Sequence, residues 1–245
     1  MSEVDPPETL MGHLLELRTR LLRGVVVLLL VFFALVPLAK TMFTRFAAPL
    51  VEKLQGNSEI IATQMVSPFF TLMKLAFFVA LFITMPYLLY QAWAFVAPGL
   101  YRNEKRLALP LLLAAVVLFY LGGAFAWFLV LPTVFGFLAN FASDVVTLLP
   151  DVAGVLDFVM VILLAFGLSF ELPVAVVVLV LTGVATPAQL REFRGYVIVG
   201  VFIVAAIITP PDVLSQLMLA IPMCLLYELG IVAGALLRRG AAEAR

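Results

Sequence analysis

Long apolar runs separated by short polar segments organise this chain. They fall at 22–39, 71–95, 107–131, 154–181, 195–209 and 214–236 and are rich in Leu, Val, Phe and Ala. A bilayer core about 30 Å thick is crossed by about 20 apolar residues in helical form, so the pattern predicts six spanning helices. The fifth run is short: Gly195 to Thr209 is 15 residues, a rise of only about 22 Å. Pro210 and Pro211 in TPPD (209–212) then force a turn, because neither can continue a helical ladder. Such a short hairpin thins the bilayer around it or leans on a partner.

Two further stripes have helical spacing without enough length to span. Met42, Phe43, Phe46, Ala47, Leu50, Val51 and Leu54 recur at intervals of three and four. This predicts a helix with one apolar face, lying on the outer membrane surface or capping the bundle. Leu10, Leu14, Leu17 and Leu21 form a second stripe, with His13, Glu16 and Arg20 on a neighbouring polar face. It predicts an amphipathic helix over residues 1–21, lying along the cytoplasmic surface ahead of the first span. The run from Val25 to Leu35 follows arginines as a signal peptide's core does, but no small-x-small cleavage site follows it, so it reads as a retained helix.

The charges orient this scheme. Cytoplasmic loops carry the excess of Lys and Arg. With the amino terminus inside, the cytoplasmic segments hold eleven of the fifteen basic residues: Arg18, Arg20, Arg23, Arg102, Lys105, Arg106, Arg191, Arg194, Arg238, Arg239 and Arg245. The second and third outer loops hold none. Six spans return the carboxy terminus to the cytoplasm. Composition agrees: 64% of residues are hydrophobic and 12% charged, about half the charge of a soluble domain. The net charge is zero, which argues against a nucleic-acid partner. With one histidine and one cysteine, Cys224, inside an apolar run, no His-based metal cage, catalytic dyad or internal disulfide can be built. The residues call for no metal, cofactor or catalytic group. No internal repeat or linker is visible, so residues 1–245 read as a single all-α polytopic membrane domain.

Against this background a few polar residues stand out. Glu171, in FGLSFELP (166–173), lies near the middle of the fourth span. An ionised carboxylate at that depth costs at least about 2.5 kcal/mol. Pro173 has no N–H for the Ser169 carbonyl, which is freed as the helix kinks. Glu171, Ser169 and Pro173 thus make a small intramembrane polar site, either a pathway or a bond to a neighbouring helix. Glu16 and Arg20 are an i,i+4 pair, which ordinary helix support explains as well as function does. Glu104 sits in the inner loop LYRNEKR (100–106) beside Lys105 and Arg106. Trp93, Phe95 and Tyr101 suit an interfacial aromatic belt. Asp212 and Gln216 share a helix face at the start of the sixth span, and Glu228 lies within it. A helix cap accounts for Asp212, whereas Gln216 and Glu228 look for partner helices.

Taken together, HLLELRTRL (13–21), SPFFTLMKL (67–75), YQAWAFVAPGLYRNEKR (90–106), FGLSFELP (166–173), TPPDVLSQ (209–216) and LAIPMCLLYE (219–228) resemble the TatC subunit of the twin-arginine protein translocase. The likeness runs from about Leu10 to Gly230, and the joint order of the motifs is far more specific than any one of them. It implies a six-helix cupped bundle, with short last two helices, in the cytoplasmic membrane of a prokaryote. It implies a receptor for signal peptides bearing two consecutive arginines, assembling with further copies of itself and with single-span TatA and TatB. Folded cargo then crosses on the proton-motive force. By the same resemblance Glu16 and Glu104 read the arginine pair, with Arg18 and Phe95 in that region. Pro49 and Phe69 belong to an outer cap, Glu171 to a concave lipid-facing groove, and Asp212, Gln216 and Glu228 to a surface for partner helices. A different class, a proton-coupled small-solute transporter with Glu171 as carrier site, predicts internal repeats and paired broken helices. Only one clearly interrupted span and no repeat are present.

Overall fold

The computed structural model describes residues 10–54, 67–96, 108–142, 151–208 and 213–243. Every element within them is helical. The first, α1 (Leu10–Leu35), runs unbroken through the boundary between the leucine stripe and the first apolar run. Residues 10–21 are therefore a continuation of the first apolar helix, not a helix set apart from it. Gly24 is the one weak helix former near that junction, and it is buried where α1 meets Leu88 of α3. A 3-10 turn containing Pro37 (Val36–Leu38) leads into α2 (Ala39–Leu54). Met42, Phe43 and Phe46 of α2 pack against the bundle core, as their spacing predicts.

The long helix α3 (Ser67–Val96) contains Pro86. Proline cannot donate to the carbonyl four residues back, here that of Phe82. The Tyr120 hydroxyl of α4 (Ala108–Phe125) donates to that carbonyl instead, at 2.8 Å. The sequence pattern ends the third span at residue 131, ahead of Pro132. The helix instead continues through a π turn (Ala126–Val130) into α5 (Leu131–Ala142). Leu131 N–H reaches back five residues to Ala126, and this wider turn lets the ladder pass a ring that would otherwise strike the carbonyl four residues earlier.

Asp151 caps α6 (Val152–Ser169), its carboxylate accepting from Ala153 N–H at 3.4 Å. The predicted break before Pro173 is present: Phe170 and Glu171 form a turn, and α7 (Leu172–Leu181) begins beyond it. After Gly183, whose φ of 74° suits a residue without Cβ, the short α8 (Pro187–Glu192) opens on a Thr186/Gln189 capping box. The last hairpin is α9 (Arg194–Ile208, 15 residues) and α10 (Val213–Glu243).

Five helical stretches are long and apolar enough to cross a membrane: Leu14–Phe46, Phe69–Val96, Ala108–Gly136, Ala153–Leu181 and Gln216–Arg238. The shorter α9 is the remaining apolar helix among the described residues. At the centre, α4 packs on α6 and α10 lies along α7, while α1 packs on α3 and α9 on α10. Two glycines permit the closest approaches. A Cβ on Gly122 would stand 2.5 Å from the Phe166 carbonyl oxygen, and one on Gly230 would stand 2.9 Å from Pro173 Cα. Small residues at such crossings let backbones meet where lipid supplies no hydrophobic drive between helices.

Candidate functional site

The amino-terminal part of α1 and the carboxy-terminal part of α3 form the first candidate region. Glu16 Oε1 accepts from Arg20 Nη2 at 2.5 Å and from Arg20 Nε at 2.9 Å. One helical turn separates the two residues, so the local helix brings them together. Both side chains are largely shielded, at 30% and 21% exposure. Arg20 also lines a cavity of about 360 Å³ between the two helices, with Leu17, Leu21, Gly24, Gln91 and Phe95 among its walls. Phe95 and the Glu16–Arg20 pair are thereby brought to one place, while Arg18 points to an exposed surface. Glu104 lies outside the described residues. Gln91 is a further polar residue here, one that the sequence pattern does not set apart. Its signal is an amide in YQAW (90–93) within an apolar helix. It is buried, and its Oε1 has no hydrogen-bond partner among the described residues.

At mid-span, the Ser169 hydroxyl is buried and donates back to the Ala165 carbonyl at 2.6 Å. It therefore does not serve Glu171, whose Oε1 is buried without a hydrogen-bond partner among the described residues. Pro173 packs beneath Gly230 of α10. The three residues share one helix break but make no common hydrogen-bonded cluster.

In the last hairpin, Gln216 and Glu228 find partners within the chain. Gln216 Nε2 donates to the Phe202 carbonyl of α9 at 3.1 Å. Glu228 Oε2 accepts from Arg194 Nη2 at 2.5 Å. The adjacent Tyr227 hydroxyl donates to the Leu190 carbonyl at 2.8 Å, so α10 fastens both α8 and α9. A groove of about 250 Å³ runs between α9 and α10, with Arg194, Phe202, Cys224 and Glu228 along it. Asp212 lies outside the described residues. Pro49 falls within α2, and Phe69 is exposed near the start of α3, its ring 5.7 Å from that of Phe70. Lys74 Nζ of α3 donates to Asp157 Oδ2 of α6 at 2.6 Å. Arg194 and Lys74 escaped sequence reasoning as partners because 34 and 83 residues separate the members of each pair.

A bundle of lipid-length apolar helices with polar residues gathered at helix ends and one helix break defines a polytopic α-helical membrane protein. Its relatives make the class specific. Residues 12–222 match the family model for the Sec-independent protein translocase protein (TatC). Proteins described as Sec-independent protein translocase protein TatC from Haemophilus influenzae and Escherichia coli are 49% and 48% identical. These matches cover 95% and 93% of this chain, and 91% and 88% of theirs. The protein of that description from Halothiobacillus neapolitanus is 50% identical over 90% of this chain, which spans 60% of that longer relative. A crystal structure of TatC, described as the twin-arginine translocase receptor, superposes with a TM-score of 0.81 at 41% identity. It covers 91% of this chain and 98% of its own. The chain belongs to the TatC family of Sec-independent protein translocase proteins.

Proposed function

We propose that this chain is the signal-peptide receptor and core subunit of a twin-arginine translocase, with Glu16 and Glu104 docking the two consecutive arginines of the peptide. The observation that carries the reading is Glu16 itself. Its carboxylate, at the inner end of the first span, already seats a guanidinium through two nitrogens. A planar, permanently charged fork is the group such a site fits, and two adjacent arginines are best met by two separate carboxylates. Arg18 and Phe95 flank that site. The solved relative of matching fold, described as the twin-arginine translocase receptor, supports the same reading.

The rest of the assignment follows from this. The chain crosses the cytoplasmic membrane of a prokaryote six times, α9 being the short crossing, and both termini face the cytoplasm. Pro49 and Phe69 form part of the outer cap. The surface around Asp212, Gln216 and Glu228 on the last hairpin takes the single helices of TatA and TatB, and other copies of this chain join the assembly. Folded cargo passes on the proton-motive force, and Glu171, with Ser169 and Pro173, offers a polar site in the membrane-facing groove.

The test is binding of a twin-arginine signal peptide to the full chain in lipid nanodiscs. Glu16→Ala and Glu104→Ala should each weaken photocrosslinking and affinity by about tenfold, the worth of one charge-assisted pair. Wild-type affinity in both variants would move recognition elsewhere on the molecule.

A further inference from the structure

We infer that Arg20 is a built-in competitor for the peptide arginine at Glu16, and that Gln91 is the seat to which it withdraws when a peptide binds. The inference rests on the reading of Glu16 as a docking acid. In the peptide-free protein that acid is already occupied: two nitrogens of Arg20 converge on Oε1. A ligand must therefore displace a guanidinium before it binds. An incoming arginine replaces the lost bonds in kind. A lysine does not, because its ammonium is a compact point charge without the planar fork. The internal arginine thus sets a threshold common to every ligand, which the matching group clears by the larger margin.

The displaced guanidinium needs an acceptor, and the cavity between α1 and α3 holds one. Arg20 and Gln91 line the same cavity of about 360 Å³. Gln91 is 8% exposed, and its Oε1 has no hydrogen-bond partner among the described residues. A buried carbonyl left unpaired is costly, and pairing it recovers that cost. Leu17, Leu21, Leu28 and Leu88 make the remaining walls apolar, a surface that suits an arginine stem with its charged head placed on an acceptor. Seating Arg20 on Gln91 offsets part of the work of leaving Glu16, so the ligand arginine meets a lower barrier to exchange.

The experiment compares two synthetic signal peptides, identical except for Arg-Arg or Lys-Lys, on the full chain in nanodiscs. Wild type should prefer Arg-Arg. In Arg20→Gln both peptides should gain affinity by a similar factor, about tenfold, because each is spared the displacement of a charge-assisted pair. Arg20→Lys should raise both affinities by less, and carries the test if the glutamine variant does not fold. Gln91→Leu should weaken Arg-Arg binding several-fold in the wild-type background and have no effect in Arg20→Gln, since coupled residues are non-additive. Affinities for both peptides that are unchanged or lower in both Arg20 variants would reduce Arg20 to helix support and overturn the inference. Additive effects of Gln91→Leu and Arg20→Gln would remove Gln91 as the second seat. If Glu16→Ala binds both peptides as wild type does, the docking assignment beneath fails instead, and the two failures are distinguishable.

Discussion

Two regions of this bundle are equally greasy and differently held. In the most apolar window of the Leu14–Phe46 stretch, 6% of residues are buried, against 50% in that of the α6–α7 stretch. The first helix rests on α3 and otherwise faces outward, with Leu22, Val26, Leu30 and Phe33 exposed. The α6–α7 pair is enclosed by α4 and α10 and carries Phe166, Ile162, Val159 and Val180 wholly inside. In lipid, hydrophobicity reports the solvent rather than the neighbour. Attachment comes instead from shape, from small residues at crossings and from a few hydrogen bonds between helices.

The contrast can be broken in order of expected effect. Gly122→Ala, at the α4–α6 crossing, drives a methyl into the Phe166 carbonyl; it should cost about 3 kcal/mol, read as a lower unfolding midpoint in detergent. Tyr120→Phe strands the Phe82 carbonyl beside Pro86 and should cost about 1–2 kcal/mol in the same assay. Glu171→Ala removes a carboxyl whose buried oxygen has no partner among the described residues. Stability should change by less than about 1 kcal/mol, while transport of a folded reporter falls. Lost expression would instead mark Glu171 as structural. Gly24→Ala, at the α1–α3 contact, should be close to neutral. The added methyl meets only the flexible end of Leu88 at 3.0 Å, and alanine is the better helix former by about 1 kcal/mol. A large loss there would erase the distinction between the two regions.

What could be read from the chain, and what could not, divides along the range of the interactions. The apolar runs, the break before Pro173 and the inward face of α2 at Met42, Phe43 and Phe46 are encoded by neighbours within a turn or two, and they are present in the structure. The i,i+4 contact of Glu16 with Arg20 is equally local. The continuity of α1 through residues 21 and 22 was missed because a polar face ending where an apolar run begins looks like a boundary, although no strong helix breaker stands there. The partners of Glu228 and Asp157 depend on which helices the fold sets side by side, and no periodicity carries that. Gln91 was obscured by its aromatic neighbours, which suit an interface belt by themselves.

The π turn at Ala126–Val130 has a consequence for registry. Leu111 and Val134 are both buried, yet 23 positions apart in an ideal α-helix they would point about 140° away from each other. A wide turn holds one residue more than its height requires, which takes about 100° off that angle. The turn therefore works as a phase correction, bringing the inward stripe of α4 and that of α5 back into line. A regular α-helix drawn through the same residues would swing Val134 out among the acyl chains, whereas excising a single residue from the turn should leave Val134 facing inward.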